Sequence, residues 1–278
     1  MEYPSVILMV VGISSMSIAG VAGRIALLDA AQDGGFFTNS SQISVNLVGS
    51  LLIGFLYGVP DLCAVHMPLV YQALAAGFCG SLTTFSSWIY AIMKPGSDWS
   101  VELVTGLTVP FIAVLNGRDF ATNIFSPTGS VENKEILKKL DQLLVVFFGV
   151  AAVAVMVAIG TTKSVSQNDL IACALGPIGA LTRYVVSTSL NGRGLKNFMI
   201  GTFVANQVAV VIVGALSLCR DTNEWCNDSI VGIAGSLSTV SSWALDTVKI
   251  YQSNKGWAYL YSLTSVGVAL AIIAPFLR

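Results

Sequence analysis

The chain has 278 residues, of which 54% are hydrophobic and only 10% are charged, and its mean hydropathy is +0.76. Soluble domains carry about a quarter charged residues, so this composition excludes an ordinary cytosolic protein. The formal net charge of −1 and the isoelectric point near 5.8 argue against a disordered chain or one that binds nucleic acid. The class that remains is a protein embedded in a lipid bilayer.

Nine apolar segments follow one another, each long enough to span a bilayer at about 20 residues per helix. Helices are expected, because backbone polar groups in lipid must be satisfied within the segment. The segments cover residues 5–31, 41–59, 68–92, 99–116, 139–160, 169–190, 197–218, 228–250 and 256–277. The hydrophilic stretch from Arg118 to Lys139 is interpreted as the linker between two halves.

Three landmarks of the first half recur in the second half in the same order. The pairs are Gly20-x-x-x-Arg24 with Gly179-x-x-x-Arg183 (offset 159), Asn46 with Asn206 (offset 160), and the block from Gly77 to Trp88 with the block from Gly232 to Trp243 (offset 155). Four spans form each repeat and one span lies between them, so the second repeat enters the membrane from the opposite side. The halves should therefore pack antiparallel, as a pseudo-dimer.

The predicted fold is an all-α integral membrane fold of nine transmembrane helices, arranged as two inverted four-helix repeats joined by one linker helix. Residues 1–117 form the first repeat, 118–165 a cytoplasmic linker with a single spacer helix, and 166–278 the second repeat. Of the 14 Lys and Arg residues, eight lie in loops on the N-terminal side, four on the other side, and two inside apolar segments. The positive-inside rule then places the N-terminus in the cytoplasm and the C-terminus outside.

The third span of each repeat contains a dense hydroxyl cluster. The clusters are Ser81, Thr83, Thr84, Ser86 and Ser87 beside Phe85, and Ser236, Ser238, Thr239, Ser241 and Ser242 beside Val240. So many hydroxyls do not fit one helix face, and the preceding Gly-x-x-Gly weakens a helix. We predict a helix break near Gly80-Ser81 and Gly235-Ser236, which frees carbonyls for a cation and N–H groups for an anion. The alternative is close helix packing with local hydroxyl–backbone bonds.

Two further pairs of polar residues lie inside apolar spans, and each pair has two interpretations. Asn46 and Asn206 either form interhelical hydrogen bonds or line a pore with their amides. Arg24 and Arg183 either snorkel to the head groups or form an electropositive vestibule for anions.

The last spans of the two repeats are unequal. Tyr261 and Ser265 are four residues apart and therefore share one helix face, where they extend the polar stripe. The first repeat has Glu102, Gly106 and Pro110 at the matching register and lacks this hydroxyl pair.

Cysteine and histidine are sparse. Of the five cysteines only Cys219 and Cys226 lie near an expected loop, where we expect two free thiols rather than a disulfide. The single histidine, His66, is interpreted as a loop residue, so a histidine-ligated metal site is not expected. The sequence shows no nucleophile–base pair or metal-ligand set, and we expect no enzyme.

Together these residues resemble the Fluc-type (CrcB-like) fluoride channel family, and in particular its eukaryotic fused two-domain form, the fluoride export proteins. The matching motifs are Gly176-x-x-Gly179-Ala180-x-x-Arg183-Tyr184, Asn206, Gly77-x-x-Gly80-x-x-Thr83-Thr84-Phe85-Ser86 and Tyr261-x-x-x-Ser265. The resemblance covers nearly the whole chain.

The resemblance implies a fluoride-selective passive channel in the plasma membrane, which exports fluoride down its electrochemical gradient and works as a single-chain pseudo-dimer. The pore residues that it implies are Phe85, Trp243, Asn46, Asn206, Thr84, Ser86, Thr239, Ser241, Tyr261 and Ser265. It also implies a structural sodium ion held by the backbone carbonyls of Gly80, Thr83, Gly235 and Ser238.

The chain departs from the family at the aromatic positions. The phenylalanine of the Thr-Thr-Phe motif is Phe85 in the first repeat but Val240 in the second, and the next aromatic is Trp88 or Trp243. If each pore takes one residue from each repeat, Phe85 pairs with Trp243 and Val240 with Trp88. We expect the first pair to line one working pore of two and the second pore to be degenerate.

Three other functional classes were weighed. A proton-coupled fluoride carrier is the main alternative and would need a titratable group in the pathway, such as Glu102 or Asp246. Both acids are placed nearer to helix ends than to the membrane centre, so snorkelling is the simpler interpretation. A structural scaffold is disfavoured by the short loops, and a membrane enzyme by the missing catalytic set.

Overall fold

The computed structural model describes residues 3–33, 42–125, 134–161, 167–195 and 197–277. Regular structure within these ranges is helical, without a strand. Six helices are long and apolar enough to cross a membrane. They are α1 (Tyr3–Asp33), α6 (Trp99–Ile124), α7 (Lys134–Thr161), α8 (Gln167–Leu190), α9 (Ile200–Ser217) and α13 (Lys255–Ile273). Helix α2 (Ile43–Gly58) is apolar but shorter.

The segment predicted as the third span of each repeat is interrupted. The first broken span, residues 68–93, consists of α3 (Pro68–Gln72), a π-helical segment (Ala73–Cys79), α4 (Gly80–Leu82) and α5 (Phe85–Met93). The second broken span, residues 224–253, consists of α10 (Glu224–Ser229), a π-helical segment (Ile230–Ala234), α11 (Gly235–Leu237) and α12 (Val240–Ser253).

The breaks lie three residues beyond the positions that the sequence predicts. Gly80-Ser81 and Gly235-Ser236 remain helical, and the extended residues are Thr83 with Thr84 and Ser238 with Thr239. The prediction followed the flexibility of glycine. The backbone instead opens where side chains from other helices bond to its N–H and carbonyl groups, as described below.

Two features differ from the prediction, one at the linker and one at His66. Helix α6 continues past Arg118 to Ile124, because Ala121 and the Arg118 backbone still pack closely against Gly58 of α2. Residues 118–124 therefore belong to the last helix of the first repeat, and residues 126–133 of the linker lie outside the described ranges. His66, predicted in a loop, ends a short π-helical segment (Asp61–His66).

Small residues allow the helices to approach closely. Gly54 of α2 lies against the Val114 backbone of α6, and Gly117 of α6 lies against the Leu51 backbone of α2. The broken spans occupy the middle of the molecule, where α5 packs against α9 and α13 and α12 packs against α2 and α6. Each α-helical half after a break therefore contacts the second and fourth spans of the other repeat.

A disulfide joins Cys219 and Cys226, with their Cα atoms 6.0 Å apart. The expectation of two free thiols is therefore wrong. The connection between α9 and α10 turns back within a few residues, which brings the two Cα atoms into bonding range. Among the described residues, Cys79 and Cys173 are free and buried.

Candidate functional site

At each break, an asparagine side chain of a neighbouring helix bonds to the backbone. The Asn46 side-chain oxygen accepts from the Thr84 N–H at 3.0 Å, and its amide nitrogen donates to the Thr84 carbonyl at 3.5 Å. Asn206 makes the same two bonds to Thr239, at 2.8 and 3.2 Å. Both asparagines are buried. This geometry is that of the interhelical hydrogen bond, one of the two roles left open by the sequence.

Threonines begin the helix after each break. The Thr84 hydroxyl oxygen accepts from the Ser87 N–H at 3.3 Å, and the Thr239 hydroxyl oxygen accepts from the Ser242 N–H at 3.2 Å. These are N-cap bonds, which satisfy donors that the first turn of a helix leaves free. The candidate pore residues Thr84 and Thr239 therefore have a structural role at the starts of α5 and α12.

The hydroxyls of the two breaks bond to each other in the centre of the molecule. Thr83 Oγ1 donates to Ser241 Oγ at 3.1 Å, and the Ser241 N–H donates to Thr83 Oγ1 at 3.2 Å. Ser238 Oγ lies 2.9 Å from Ser86 Oγ and accepts from the Ser86 N–H at 3.2 Å. All four residues are buried. The two clusters found in the sequence thus form one network that joins the repeats.

At each break, two backbone N–H groups bond to side-chain oxygens and not to the carbonyls four residues before them. In an unbroken helix, the N–H groups of Thr84 and Ser87 would bond to the carbonyls of Gly80 and Thr83. The Thr84 N–H bonds instead to Asn46, and the Ser87 N–H bonds to the Thr84 hydroxyl. The second repeat shows both diversions. The carbonyls that lose these partners are those of Gly80, Thr83, Gly235 and Ser238.

The two candidate vestibule arginines cross between the repeats. The Arg183 guanidinium donates to the Ala76 carbonyl of the first repeat at 2.6 Å and to the Ser236 carbonyl at 2.9 Å. The Arg24 guanidinium donates to the carbonyl of Val231, which is the residue equivalent to Ala76. Their exposed fractions are only 2% and 3% for Arg24 and Arg183, so neither side chain snorkels to the surface.

Each arginine also lies against the second glycine of the Gly-x-x-Gly motif in the other repeat's broken span. A Cβ atom on Gly80 would collide with the Arg183 guanidinium, and a Cβ atom on Gly235 would collide with that of Arg24. Glycine is therefore needed here for close approach of a charged group. Its backbone conformation is ordinary helix.

Two clefts open beside the arginines, at opposite ends of α8. The larger, of about 510 Å³, is lined by residues that include Arg24, Ser87, Tyr90, Lys94, Asp169 and Arg220. The smaller, of about 310 Å³, is lined by residues that include Arg183, Ser187, Asn191, Thr202, Ser242 and Asp246. Arg24 Nη1 is buried against Gly235 and has no hydrogen-bond partner in the described part of the chain.

Three buried rings meet where the broken spans cross. The ring centroids of Phe85 and Trp243 are 5.5 Å apart with an interplanar angle of 67°, and those of Trp88 and Trp243 are 5.9 Å apart. Val240, which replaces the second phenylalanine, packs in the same apolar cluster. The structure therefore brings together Phe85 and Trp243, the pair expected from the sequence.

The two tryptophans differ in the use of their N–H groups. Trp88 Nε1 donates to the Glu102 carbonyl at 2.8 Å, and its indole packs directly against Gly106. Trp243 Nε1 has no partner among the described residues. The Tyr261 hydroxyl, 155 positions after Gly106, lies beside the Thr202 side chain but makes no hydrogen bond of normal length to a described residue. Both atoms are buried. The second repeat thus contributes two donors without a hydrogen bond of normal length, Trp243 Nε1 and Tyr261 Oη. The corresponding donor of the first repeat, Trp88 Nε1, is already bonded.

The helix packing groups the remaining candidates. Phe85 is on α5, which packs against α9 with Asn206 and against α13 with Tyr261 and Ser265, and α13 also packs against α12. The Ser265 hydroxyl donates to the Tyr261 carbonyl at 2.7 Å. We call α5, α9 and α13, together with Trp243 of α12, the Phe85 pathway.

Sequence reasoning missed Gln207 on this side. Its Nε2 donates to the Ser265 carbonyl at 3.1 Å, and its Oε1 has no partner within the described ranges. A second amide directly after Asn206, in an apolar span, was the available signal.

Asp141 of the spacer helix was also missed. Its two carboxylate oxygens accept from the N–H groups of Val70 at 2.8 Å and Leu69 at 3.1 Å, at the start of the first broken span. The side chain is buried, with 3% exposure. A carboxylate near the start of a predicted apolar span was the signal.

A model of the CrcB-like proteins (CrcB-like protein, Camphor Resistance) matches the chain twice, over residues 11–117 and 170–275. The chain belongs to the CrcB-like family. The resemblance drawn from the motifs is confirmed, and α7 lies between the two matches. Membership of this family, together with six apolar helices of membrane-spanning length, makes the chain an integral membrane protein.

Curated relatives include fluoride export protein 1 of Neurospora crassa, 27% identical over 260 residues, which cover 75% of this chain and 48% of the relative. Fluoride export protein 1 of Candida albicans is 26% identical over 237 residues, covering 73% of this chain and 59% of the relative. Fluoride-specific ion channel FluC 2 of Synechococcus sp. (strain CC9605) is 40% identical over 76 residues, covering 26% of this chain and 54% of the relative. The chain spans about half the length of these relatives, and no solved structure matches it.

Proposed function

We propose that the chain is a fluoride-selective passive channel that exports fluoride across the plasma membrane. The observation that carries the proposal is the pair of buried, unused donors, Trp243 Nε1 and Tyr261 Oη, on the Phe85 pathway. Curated relatives named as fluoride export proteins and fluoride-specific ion channels supply the ion.

The chemistry of these donors suits fluoride. Fluoride is small and strongly hydrated, so a pore must replace its water with hydrogen-bond donors. An indole N–H and a phenol O–H donate without carrying a charge, so they do not trap the ion. The edges of Phe85 and Trp243 add the positive rim of the aromatic quadrupole.

Of the two equivalent pathways that the repeats could form, we propose that only one conducts fluoride. In this proposal Phe85, Trp243, Tyr261 and Ser265 line it, and anions leave through the larger cleft, whose lining includes Arg24, Lys94 and Arg220. On the opposite side, Val240 replaces the second phenylalanine and the Trp88 donor is satisfied.

We propose nine transmembrane spans for this channel, which count α2 and the two broken spans with the six long helices. Two antiparallel four-helix repeats in one chain then form the pseudo-dimer, with the N-terminus in the cytoplasm and the C-terminus outside. The double family match and the reciprocal Arg24 and Arg183 contacts support this arrangement.

A structural sodium ion between the breaks is part of the proposal. The carbonyls of Gly80, Thr83, Gly235 and Ser238 have lost their usual helical partners, and carbonyl oxygens are suitable ligands for a hard cation. The ion would supply positive charge that holds the two breaks together. The expected result is a lower melting temperature in detergent when sodium is replaced by N-methyl-D-glucamine. An unchanged melting temperature across that exchange would contradict the sodium proposal.

A matched pair of substitutions tests the pathway. Phe85 and Val240 are equivalent and fully buried. Phe85→Ile should abolish fluoride efflux from liposomes, and Val240→Ile should leave it nearly unchanged. Equal losses would contradict a single working pathway.

A proton-coupled fluoride carrier is the second candidate, since Asp246 lines the smaller cleft with Arg183 and accepts from the Thr202 hydroxyl at 2.7 Å. A carrier would concentrate fluoride against its gradient when a pH gradient is imposed. Asp246→Asn would abolish that accumulation. A passive channel shows no accumulation in either form.

A further inference from the structure

A third cavity, of about 590 Å³, opens between α6, α12 and α13. Three helices provide its walls, each through one face. The lining residues are Leu107, Phe111, Leu115 and Arg118 of α6, then Thr247, Val248, Tyr251 and Gln252 of α12, and Ala258, Tyr259, Ser262 and Leu263 of α13. We call it the lipid groove, because we propose that it binds one acyl chain of an anionic phospholipid.

The surface of the groove is apolar. Its two aliphatic hydroxyls are bonded, since Thr247 Oγ1 and Ser262 Oγ are 3.1 Å apart and Thr247 Oγ1 also donates to the Trp243 carbonyl at 2.9 Å. The half-exposed Leu115 and the exposed Leu263 form part of the rim. A hydrocarbon chain at this depth therefore meets hydroxyls that are already bonded.

The length of the groove matches one leaflet. Leu107 and Arg118 are eleven residues apart on α6, which corresponds to about 16 Å at 1.5 Å per residue. Half of a hydrocarbon core of about 30 Å is about 15 Å. The groove thus runs from near the bilayer centre to the level of the head groups.

The Arg118 end has the residues typical of a membrane interface. Tyr251 and Tyr259 form an edge-to-face pair with centroids 6.1 Å apart, and Lys255 Nζ lies 5.5 Å from the Tyr251 centroid. Tyrosines are enriched at the head-group level, and cations there attract anionic lipids. Arg118 and Lys255 provide the positive charge, although Asp119 pairs with Arg118 at 2.6 Å.

In the orientation proposed above, this end faces the cytoplasm, where the leaflet carries anionic lipids. The groove also has a link to the proposed pathway, because the ring of its wall residue Phe111 lies 5.1 Å from that of Trp243. This link to the pathway and the cytoplasmic position of the Arg118 end rest on the proposed function. Binding of the lipid itself does not.

Native mass spectrometry of the full chain tests the inference, with phosphatidylserine and phosphatidylcholine added in equal amounts. Phosphatidylserine should be retained in preference. Arg118→Gln should remove the preference, whereas Arg193→Gln, an exposed arginine outside the groove, should keep it. Leu115→Trp should fill the groove and lower binding of both lipids. Leu143→Trp, on the exposed face of α7, should bind like the unmodified chain.

Photolabelling of the unmodified chain removes any dependence on how the variants fold. Phosphatidylserine with a photoreactive group in its acyl chain should label the segments around Leu115 and Leu263. Labelling that spreads evenly over exposed apolar helices would overturn the proposal, and so would equal retention of both lipids. Neither experiment uses fluoride, so failure here is distinguishable from failure of the channel proposal.

Discussion

At the scale of single residues, glycine and arginine work as pairs across the two repeats. The sequence indicated that Gly80 and Gly235 weaken the helix at a break. In the structure both glycines are helical, and each makes room for an arginine of the other repeat. Spacing along one repeat cannot reveal a contact with the other, so this role required the tertiary structure.

Substitution of either glycine should therefore destabilise the fold, because a side chain there displaces the arginine that packs against it. Gly80→Ala and Gly235→Ala place a Cβ atom where a buried guanidinium lies, and displacing its hydrogen bonds should cost more than about 2 kcal/mol. The check is the melting temperature of the purified chain. Gly267→Ala is the control, because nothing lies within 4 Å of its Cβ position, and it should not lower the melting temperature. Stable Gly80→Ala and Gly235→Ala variants would refute the pairing.

The Tyr261 hydroxyl provides a second test at this scale. If it donates to fluoride, Tyr261→Phe removes one bond to an anion, worth about 1.5–3 kcal/mol, and should slow fluoride efflux roughly tenfold or more. Tyr259→Phe changes an exposed tyrosine two residues away and should leave the rate unchanged. Equal rates for the two variants would remove Tyr261 from the pathway.

At the scale of elements, the existence of the breaks followed from sequence but their positions did not. Crowded hydroxyls after Gly-x-x-Gly predicted an interruption in each third span. Asn46 and Asn206 fix it at Thr84 and Thr239 by bonding the N–H and carbonyl groups of those residues. These bonds come from other helices, so no local pattern places the break.

The spacer helix also does more than reverse the second repeat. Asp141 caps the start of the first broken span with both carboxylate oxygens. Carboxylates are favourable at a helix N-terminus because they bond its free N–H groups and face its positive dipole end.

Asp141→Ala should lower the free energy of unfolding by about 1 kcal/mol, or up to about 2 kcal/mol for a buried cap. Urea or thermal unfolding in detergent measures the change. Asp119→Ala, at an exposed position next to Arg118, is the control and should have a much smaller effect. If the two variants unfold alike, the spacer does not stabilise the first repeat through Asp141.

At the scale of the whole molecule, the disulfide bears on orientation. The Cys219–Cys226 connection and Lys94 fall on the side that the basic-residue count assigns to the exterior, and disulfides persist in oxidising compartments. Spacing along the chain provides no geometric reason to pair these cysteines, because their proximity depends on how tightly the chain turns between α9 and α10.

Labelling of intact cells tests this orientation. A membrane-impermeant phosphine followed by an impermeant maleimide should modify the chain without permeabilisation. The double variant Cys219→Ser with Cys226→Ser should lose that labelling. Labelling that appears only after the cells are permeabilised would place this connection in the cytoplasm and reverse the proposed orientation.

The broad architecture was readable from sequence because lipid demands long apolar segments and because the repeats preserve their motifs. The long helices α1, α6, α7, α8, α9 and α13 all coincide with predicted segments. The asymmetry between Trp88 and Trp243 was readable only in part. Sequence shows Gly106 opposite Tyr261, but only the fold shows which indole N–H is already bonded.

The most direct measurement is anion efflux from liposomes that contain the purified chain, followed with fluoride and chloride electrodes side by side. The account predicts fast fluoride efflux driven by the gradient alone, without chloride efflux. Equal rates for both anions would contradict the selectivity, and the absence of fluoride efflux would contradict the channel itself.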